Sequence, residues 1–448
     1  MNRYLYIQFY RNKAYLIALL FLFMAGLMAI YTGKKFLDRN EDIISKSGAF
    51  QKESIARNTK FHKDDLGLAL YYIKFNLVNE TPKLAALNIG MRDLNPSIQG
   101  VTIRNLEEQR YNADFYNPAN AAVGNFDFSF VIVFLFPLVI VAFCYNLISE
   151  EEEKGTWKLL SVQSGNLQSF LDQKMLIRLL AVTAVYLILM IIASAWIKIP
   201  LDLYFIAFAA SGWLYVLFWF ALCRWIVSFR KSSAQNALIL LIVWVAINFI
   251  IPMSSNILIQ KIYPVHESLK AVMEQREGYH NKWDEAKQPT MEKFYEAYPQ
   301  YRNFTVEEND AFTWTWYYAM QHMGDLESSK SSEQYTEKMQ KRNLAAGYLG
   351  YLLPNLHTQL VSSHLAKTDM SNHLQYASSL KKFHEKKRLF FYPLIFSEKN
   401  AESVNWAQQI TEVFRFSEHI GYVQIFLPYL IFIALFIILS QNKYRKLC

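Results

Sequence analysis

Six stretches of the chain carry no charged side chain and stay apolar long enough to cross a hydrocarbon layer, which takes roughly 20 helical residues. They are 14–31, 128–147, 179–197, 203–223, 235–256 and 421–440. The pattern predicts an α-helical integral membrane protein with six transmembrane helices. Two long polar gaps, 32–127 and 257–420, together make up more than half of the chain, and this part is expected to lie outside the bilayer.

Within the first gap, the charged periodic stretch from Phe36 to Leu77 predicts helix, and the segment turns irregular around Pro82, Gly90, Pro96 and Gly100. Val101-Thr102-Ile103 is its one strand candidate. The second gap reads as mainly helical, with amphipathic stretches near 265–287, 306–323 and 329–346, and with Pro354 and Pro393 as punctuation. Its aromatic run from Phe312 to Tyr318 is expected to be buried core or membrane-interface contact rather than a ligand surface. Ahead of the first span, Tyr4, Tyr6, Phe9 and Tyr10 alternate with Arg3 and Arg11, which suits a helix in the headgroup layer or an ordinary aromatic belt.

The chain is 53% hydrophobic and 19% charged with a mean hydropathy of +0.06, as segregated apolar and polar parts require. Its net charge of +8 suggests nucleic acid only until it is partitioned. The two long gaps are each within one charge of neutral, and the whole positive excess falls on the four short polar pieces at 1–13, 148–178, 224–234 and 441–448. Lys/Arg excess in short loops marks the cytoplasmic side. The expected location is therefore the cytoplasmic (inner) membrane, multi-pass, with both termini inside, and no nucleic-acid partner is implied. The expected organisation is an interfacial helix with the first span over 1–31, an extracytoplasmic domain over 32–127, spans two to five over 128–256 with a cytoplasmic elbow at 148–178, a second extracytoplasmic domain over 257–420, and the last span with its tail over 421–448.

Cys144 and Cys223 fall in spans and Cys448 ends the sequence, so neither outer segment can hold a disulfide. Eight of nine histidines lie in the second gap, but none pair at metal-ligand spacing, and no metal site is expected. There is no G-x-x-x-x-G-K-[ST] phosphate loop, no zinc or nucleophile-elbow motif, and no acidic residue within any span. Neither a self-contained ATPase nor a proton-coupled carrier is suggested.

The informative segment is Ser149-Glu150-Glu151-Glu152-Glu153-Lys154-Gly155-Thr156-Trp157-Lys158-Leu159-Leu160, on the cytoplasmic side after the second span. Ser149 and Glu152 have capping-box spacing, Gly155 permits a sharp break, and Thr156 can cap a second short helix. Trp157, Leu159, Leu160 and Val162 give that helix a greasy face. An acidic elbow with an apolar knob suits docking of a soluble protein. A solvated charge run is the bland reading.

These residues resemble the hallmark of ABC-2 type exporter permeases, Glu-x-Glu-x-Gly-Thr-x-x-x-Leu-Leu, with Glu151, Glu153, Gly155, Thr156 and Leu160 on the pattern and Leu159 in the preceding slot. Around it, Asn117-Pro118, Gly124, Phe126-Asp127, Phe130, Pro137-Leu138 and Tyr145 to Ser149 resemble the subgroup with two large extracytoplasmic insertions. So do Leu353-Pro354, Gln359-Leu360, Thr368-Asp369, His373 and Phe391 to Phe396. Two positions depart: Lys367 stands where the subgroup has Gly, and Gln173-Lys174 replaces Gly-Lys.

The resemblance implies the permease subunit of an ATP-driven exporter, with no cofactor in this chain and with ATP and Mg on a separate cytosolic ABC ATPase seated on the elbow. It also implies pairing with a second copy or a paralogous permease, and a central path lined by the second and fifth spans. Phe130, Phe134, Phe136, Pro137 and Phe143 on one side and Trp244, Asn248, Phe249 and Asn256 on the other give that path an apolar character with a few amides, which favours amphipathic, lipidic or peptide cargo; lipid-facing or packing roles suit the phenylalanines equally. The size of the outer segments leaves room for a periplasmic or outer-membrane partner. Asn117, Pro118, Phe126, Asp127, Pro354, Thr368, Asp369 and His373 are motif residues to which no role is assigned. A membrane receptor or sensor with two extracytoplasmic ligand-binding domains is the alternative, although 148–178, the largest cytosolic piece, is short for a signalling domain. A membrane-embedded hydrolase lacks a discernible nucleophile and base.

Overall fold

A computed structural model describes residues 2–111, 125–163, 167–309, 312–417 and 421–444. Among the described residues, six helices are long and apolar enough to span a membrane: Lys13–Phe61, Phe128–Glu153, Leu167–Ile197, Leu203–Val227, Ser233–Ile262 and Tyr422–Tyr444. They match the six apolar stretches of the sequence, and the chain is an all-α membrane protein apart from one small sheet. Spans 2 and 4 form the centre of the bundle, each with 67% of its most apolar window buried, against 11% for span 5 and 17% for span 6. The short helix Asn2–Arg11 packs on this bundle through Phe9, whose ring lies 5.2 Å from Tyr15 and 5.8 Å from Phe143.

The first span does not stop at the membrane. Its helix runs 49 residues without a break, so the predicted polar helix from Phe36 is its continuation. Lys34–Asp38 and Lys46–Asp42 ion pairs, each four residues apart, line its polar part. Gly33 sits where this rod crosses the turn Lys83–Ala86; a Cβ there would stand 1.7 Å from the Ala86 carbonyl oxygen.

The helix expected to reach Leu77 ends earlier. Leu66–Tyr72 is helical, but Phe75–Asn79 is a strand, β1, at the centre of a three-stranded sheet. Ile98–Val101 (β2) pairs antiparallel with it, with Phe75 opposite Val101. Glu412–Phe414 (β3) pairs parallel on the other side, with Leu77 opposite Glu412. Of the predicted strand 101–103 only Val101 is in the sheet. The carbonyls of Thr102 and Ile103 turn instead to His384 Nε2 at 2.9 Å and Arg388 Nε at 3.1 Å.

Because β3 comes from the second long segment, the two segments expected as separate domains share a sheet and a core. That core holds Leu70 and Phe75 from the first and Met291, Phe294, Tyr318 and Tyr392 from the second. The second segment supplies helices Glu267–Asp284, Lys287–Ala297, Trp314–Gly350, Pro354–Leu365 and Met370–Phe396. The stretches expected at 306–323 and 329–346 are one helix only from Trp314 on, where Thr313 caps it by accepting from Trp316 N at 3.3 Å; residues 306–309 are not helical. Trp316, Tyr317 and Tyr318 are buried in the core, whereas Phe312 is half exposed. Pro354 opens its helix, but Pro393 lies inside the last one and does not end it.

Three of the motif residues without an assigned role, Asp127, Thr368 and Asp369, tie the polar domain to the bundle, and a fourth, Pro354, opens the helix whose Val361 and Leu365 pack on it. Asp127 caps span 2, accepting from Phe130 N at 2.9 Å, and its second oxygen accepts from Ile89 N at 2.8 Å. Ser129 N donates to Leu87 O, and Asn88 Nδ2 donates to Ser129 Oγ. Thr368 reaches the same loop from the other side: its hydroxyl donates to Asn88 Oδ1 at 3.1 Å and its carbonyl accepts from Met91 N at 2.9 Å. Asp369 caps the next helix at Asn372 N and pairs with His364 Nδ1 at 2.9 Å. Pro354 occupies the first turn of the helix Pro354–Leu365. Lys367, in the slot where the subgroup has Gly, is held at φ +55, the left-handed region that glycine enters most easily.

Close packing at Gly33 makes a contrast on one helix testable. Gly33→Ala should lower thermal stability by about 2 kcal/mol or more, through overpacking, while Gly48→Ala, whose Cβ meets nothing nearer than 3.9 Å on the same helix, should raise it by up to about 1 kcal/mol. Detergent unfolding of the two variants checks the contrast, and equal shifts refute it. Burial pushes the Asp127 carboxyl up from 3.8 to about 6, against the pull of the Phe130 and Ile89 amides. The folded state therefore holds this proton more tightly than the unfolded state does, so the contribution is full below about pH 4 and is lost as pH rises through about 6. Between about pH 5 and 7 the melting temperature of the wild type should fall more than that of Asp127→Asn, in which this titration is absent.

Candidate functional site

The second span ends in a short helical turn, Ser149–Glu153, and a second helix, Trp157–Gln163, follows. Gly155 makes the corner at φ +72, a backbone conformation that side chains disfavour. The expected capping box is not formed: Ile148 occupies the cap position, and Ser149 Oγ lies 2.8 Å from Ser233 Oγ at the start of span 5. Glu152 is engaged elsewhere, accepting from Arg230 Nε at 2.6 Å. Thr156 turns its hydroxyl back onto Glu151, donating to Oε2 at 2.6 Å.

All four carboxylates have internal partners. Glu150 meets Lys154 at 2.6 Å and Lys174 at 3.3 Å. Glu151, only 8% exposed, meets Lys174 Nζ at 2.9 Å. Glu153 accepts from both Ser233 N, at 2.8 Å, and Ser233 Oγ, at 2.9 Å, at the opening of the span 5 helix. The elbow is thus tied to span 3 through Lys174, to the loop between spans 4 and 5 through Arg230, and to span 5 through Ser233. Arg230 also lies 5.0 Å from the centre of the Trp157 ring. Nearby, Arg224 joins Asp172 at 2.7 Å and Ser440 Oγ at 2.7 Å, linking spans 3, 4 and 6. Trp157 and Leu160 pack inward on the bundle, whereas Leu159 and Val162 are 56% and 83% exposed. Leu159 and Val162 thus give the elbow an exposed apolar patch beside the charged and likewise exposed Glu153, Lys154 and Lys158, and the bonds of its acidic residues set its shape.

Sequence reasoning does not single out the partners Lys174, Arg230 and Ser233. Lys174 carries a signal, since it is the retained half of the Gly-Lys pair. Arg230 and Ser233, which reach the elbow from beyond two intervening spans, carry none.

Spans 2 and 5 meet where each winds wider than an α-helix. Val131–Leu135 and Ala246–Ile250 are π-helical turns, followed by Pro137 and Pro252 respectively. A proline has no N–H for the carbonyl one turn back, so oxygens here need other donors. Tyr215 OH on span 4 donates to Val133 O at 3.2 Å, Trp244 Nε1 donates to Phe134 O at 3.2 Å, and Asn355 Nδ2 donates to Ile247 O at 2.5 Å. Stacked beside them is an aromatic series: Phe126–Phe130 at 5.4 Å, Phe130–Phe134 at 4.8 Å, Phe134–Phe249 at 5.5 Å and Phe249–Trp244 at 5.4 Å. Asn248 donates to Trp244 O at 3.0 Å, and its buried Oδ1 has no partner among the described residues.

The structure thus brings Phe130, Phe134, Pro137, Trp244, Asn248 and Phe249 to one seam. Phe136 and Phe143 do not belong to it. They are fully buried against Tyr186 of span 3 and against Phe9 and Tyr15, and Asn256 is exposed farther along span 5. Of the motif residues, Phe126 stands at one end of the aromatic series, Asp127, Thr368 and Asp369 tie the polar domain to the bundle, and Pro354 opens the helix Pro354–Leu365. His373 lines a cleft in that domain. Asn117 and Pro118 lie outside the described residues.

No curated protein and no solved structure matches this chain. Residues 269–417 match a domain of unknown function, DUF3526, and these are the residues between the fifth and sixth spans. Residues 6–313 match the ABC-2 family transporter proteins, a region that includes the first five spans, the elbow and the seam. The chain belongs to the ABC-2 family of transporter proteins, as a multi-pass membrane component of transport with DUF3526 inserted before its last span.

Proposed function

We propose that this permease is driven by a separate cytosolic ABC ATPase, which carries the ATP and Mg and seats on the elbow between spans 2 and 3. The observation that carries the reading is the division of labour within the elbow: its carboxylates are each engaged within the chain, by Lys174, Arg230 and Ser233, while the apolar Leu159 and Val162 are exposed and without such ties. A knob braced to spans 3 and 5 passes displacement on to both. Two permeases, alike or paralogous, pair along the exposed apolar face of span 5. Amphipathic, lipidic or peptide cargo is exported along the Phe134–Phe249 seam, from the cytoplasmic side of the inner membrane toward the polar domain, where a periplasmic or outer-membrane partner receives it.

Capture of the tagged permease from its own membranes tests the docking step. Leu159→Glu/Val162→Glu should reduce recovery of the ATPase about tenfold or more, since burial of each side chain contributes a kcal/mol or more. Glu153→Ala should keep the ATPase bound yet lower cargo-stimulated hydrolysis. Recovery and stimulation at wild-type levels in both variants would sink the assignment. Orientation is read separately with single cysteines at Lys52 and Gln334, both exposed in the polar domain, in a background lacking Cys144, Cys223 and Cys448. An impermeant thiol reagent should label them from outside the cell, and labelling only after permeabilisation reverses the topology.

A further inference from the structure

The two inter-span segments are close to neutral as a whole. One cleft in the domain they build departs from that balance. It has a volume of about 490 Å³ and opens between β2, an edge strand of the sheet, and the helix Met370–Phe396. Its lining includes Lys74, Arg104, Arg110 and His373, and no Asp or Glu is among the described residues that line it. The volume falls within the roughly 300–1,000 Å³ of small-molecule sites.

The three cations and the imidazole are each placed differently. Lys74 is exposed at the strand β1 end of the cleft. Arg104 is steadied by Thr102 Oγ1 at 3.3 Å and by the Tyr71 ring, whose centre is 4.5 Å away. Arg110 is held by Glu107 at 3.0 Å. His373 is largely buried, and its Nδ1 has no hydrogen-bond partner among the described residues. Buried polar groups are normally satisfied, and such an orphan in a cleft calls for an explanation. The remaining walls include Leu94, Ile98 and Leu380, which present apolar surface beside the cations.

We propose that this cleft is a binding site for an amphipathic organic anion: a phosphate or carboxylate head facing Arg104, Arg110 and His373, with an aliphatic part against Leu94, Ile98 and Leu380. His373, to which neither fold nor elbow gives a task, then acquires one as a hydrogen-bond donor to the head. Arginine forks and an imidazole N–H suit an oxyanion, and exclusion of carboxylates from the lining selects against cations. Binding in this cleft requires neither the ATPase nor a direction of transport, and it is measured without either.

The test is calorimetric titration of the full chain in a neutral detergent, referenced to empty micelles, with hexyl phosphate, inorganic phosphate and hexanol as probes. Hexyl phosphate should bind saturably at one site per chain, about tenfold or more tighter than either inorganic phosphate or hexanol, because each alone lacks half of the contacts. Lys74→Glu/His373→Phe should weaken it about tenfold. Ala377→Trp, which fills the cleft from its helical wall, should abolish binding, and Lys52→Glu on the helix Lys13–Phe61, outside the cleft lining, should leave it unchanged. Melting temperatures near that of the wild type establish that the variants are folded. Equal binding of hexyl phosphate and hexanol, equal binding of hexyl phosphate and inorganic phosphate, or undiminished binding in folded Ala377→Trp each overturns the proposal.

Discussion

A carbonyl oxygen freed inside a bilayer finds no water, and leaving it unpaired costs several kcal/mol. That constraint governs the centre of this molecule. Span 2 and span 5 each contain a π-helical turn followed by a proline, and side chains from elsewhere satisfy the freed oxygens: Tyr215 from span 4, Trp244 from span 5 and Asn355 from the helix Pro354–Leu365. These bonds fix which helices neighbour one another. They also bring the polar domain into the membrane bundle, because Asn355 belongs to the segment between spans 5 and 6. The seam between spans 2 and 5 is therefore held by directional bonds rather than by apolar packing alone, which in lipid discriminates poorly between partners.

The elbow obeys the same constraint at the membrane surface. Four adjacent glutamates repel one another unless each finds a cation or a donor, and here every one does. Lys174 serves two of them while remaining 7% exposed, so removing it would leave Glu151 buried without its cation, the costly way to break such a pair. Lys154, bridged to Glu150 at the surface, is dispensable by comparison. The acidic run is a clamp within the chain, and the exposed apolar side chains beside it are Leu159 and Val162.

Much of this is legible in the chain itself. Spans declare themselves because a stretch like 203–223 can be nothing but apolar, and the elbow corner declares itself through Gly155. The capping box expected at Ser149 fails because the local rule sees Glu152 three residues on and not Arg230, 78 residues away. Strand β1 has the look of helix because Phe75–Asn79 follows helical sequence, and it owes its central place to pairing with β2 and with β3, which lies just ahead of the last span. The same long-range pairing hides the union of the two inter-span segments. Pro393 looks like a stop, although tertiary packing carries its helix through to Phe396. The π turns leave only a faint sign in Pro137 and Pro252, since neither proline announces that the turn before it will widen.

The unbroken helix Lys13–Phe61 has a mechanical meaning. At roughly 1.5 Å per residue its 49 residues make a rod of about 70 Å, more than twice the hydrocarbon thickness. With one end in the bundle and the other reaching the sheet, where Gln51 donates to Gln409 O and accepts from Asn76 N, the rod works as a pointer. Each degree by which it leans in the membrane sweeps its far end by about an ångström. A small tilt among the spans therefore corresponds to a displacement several times larger at the sheet, with no hinge needed in the rod itself.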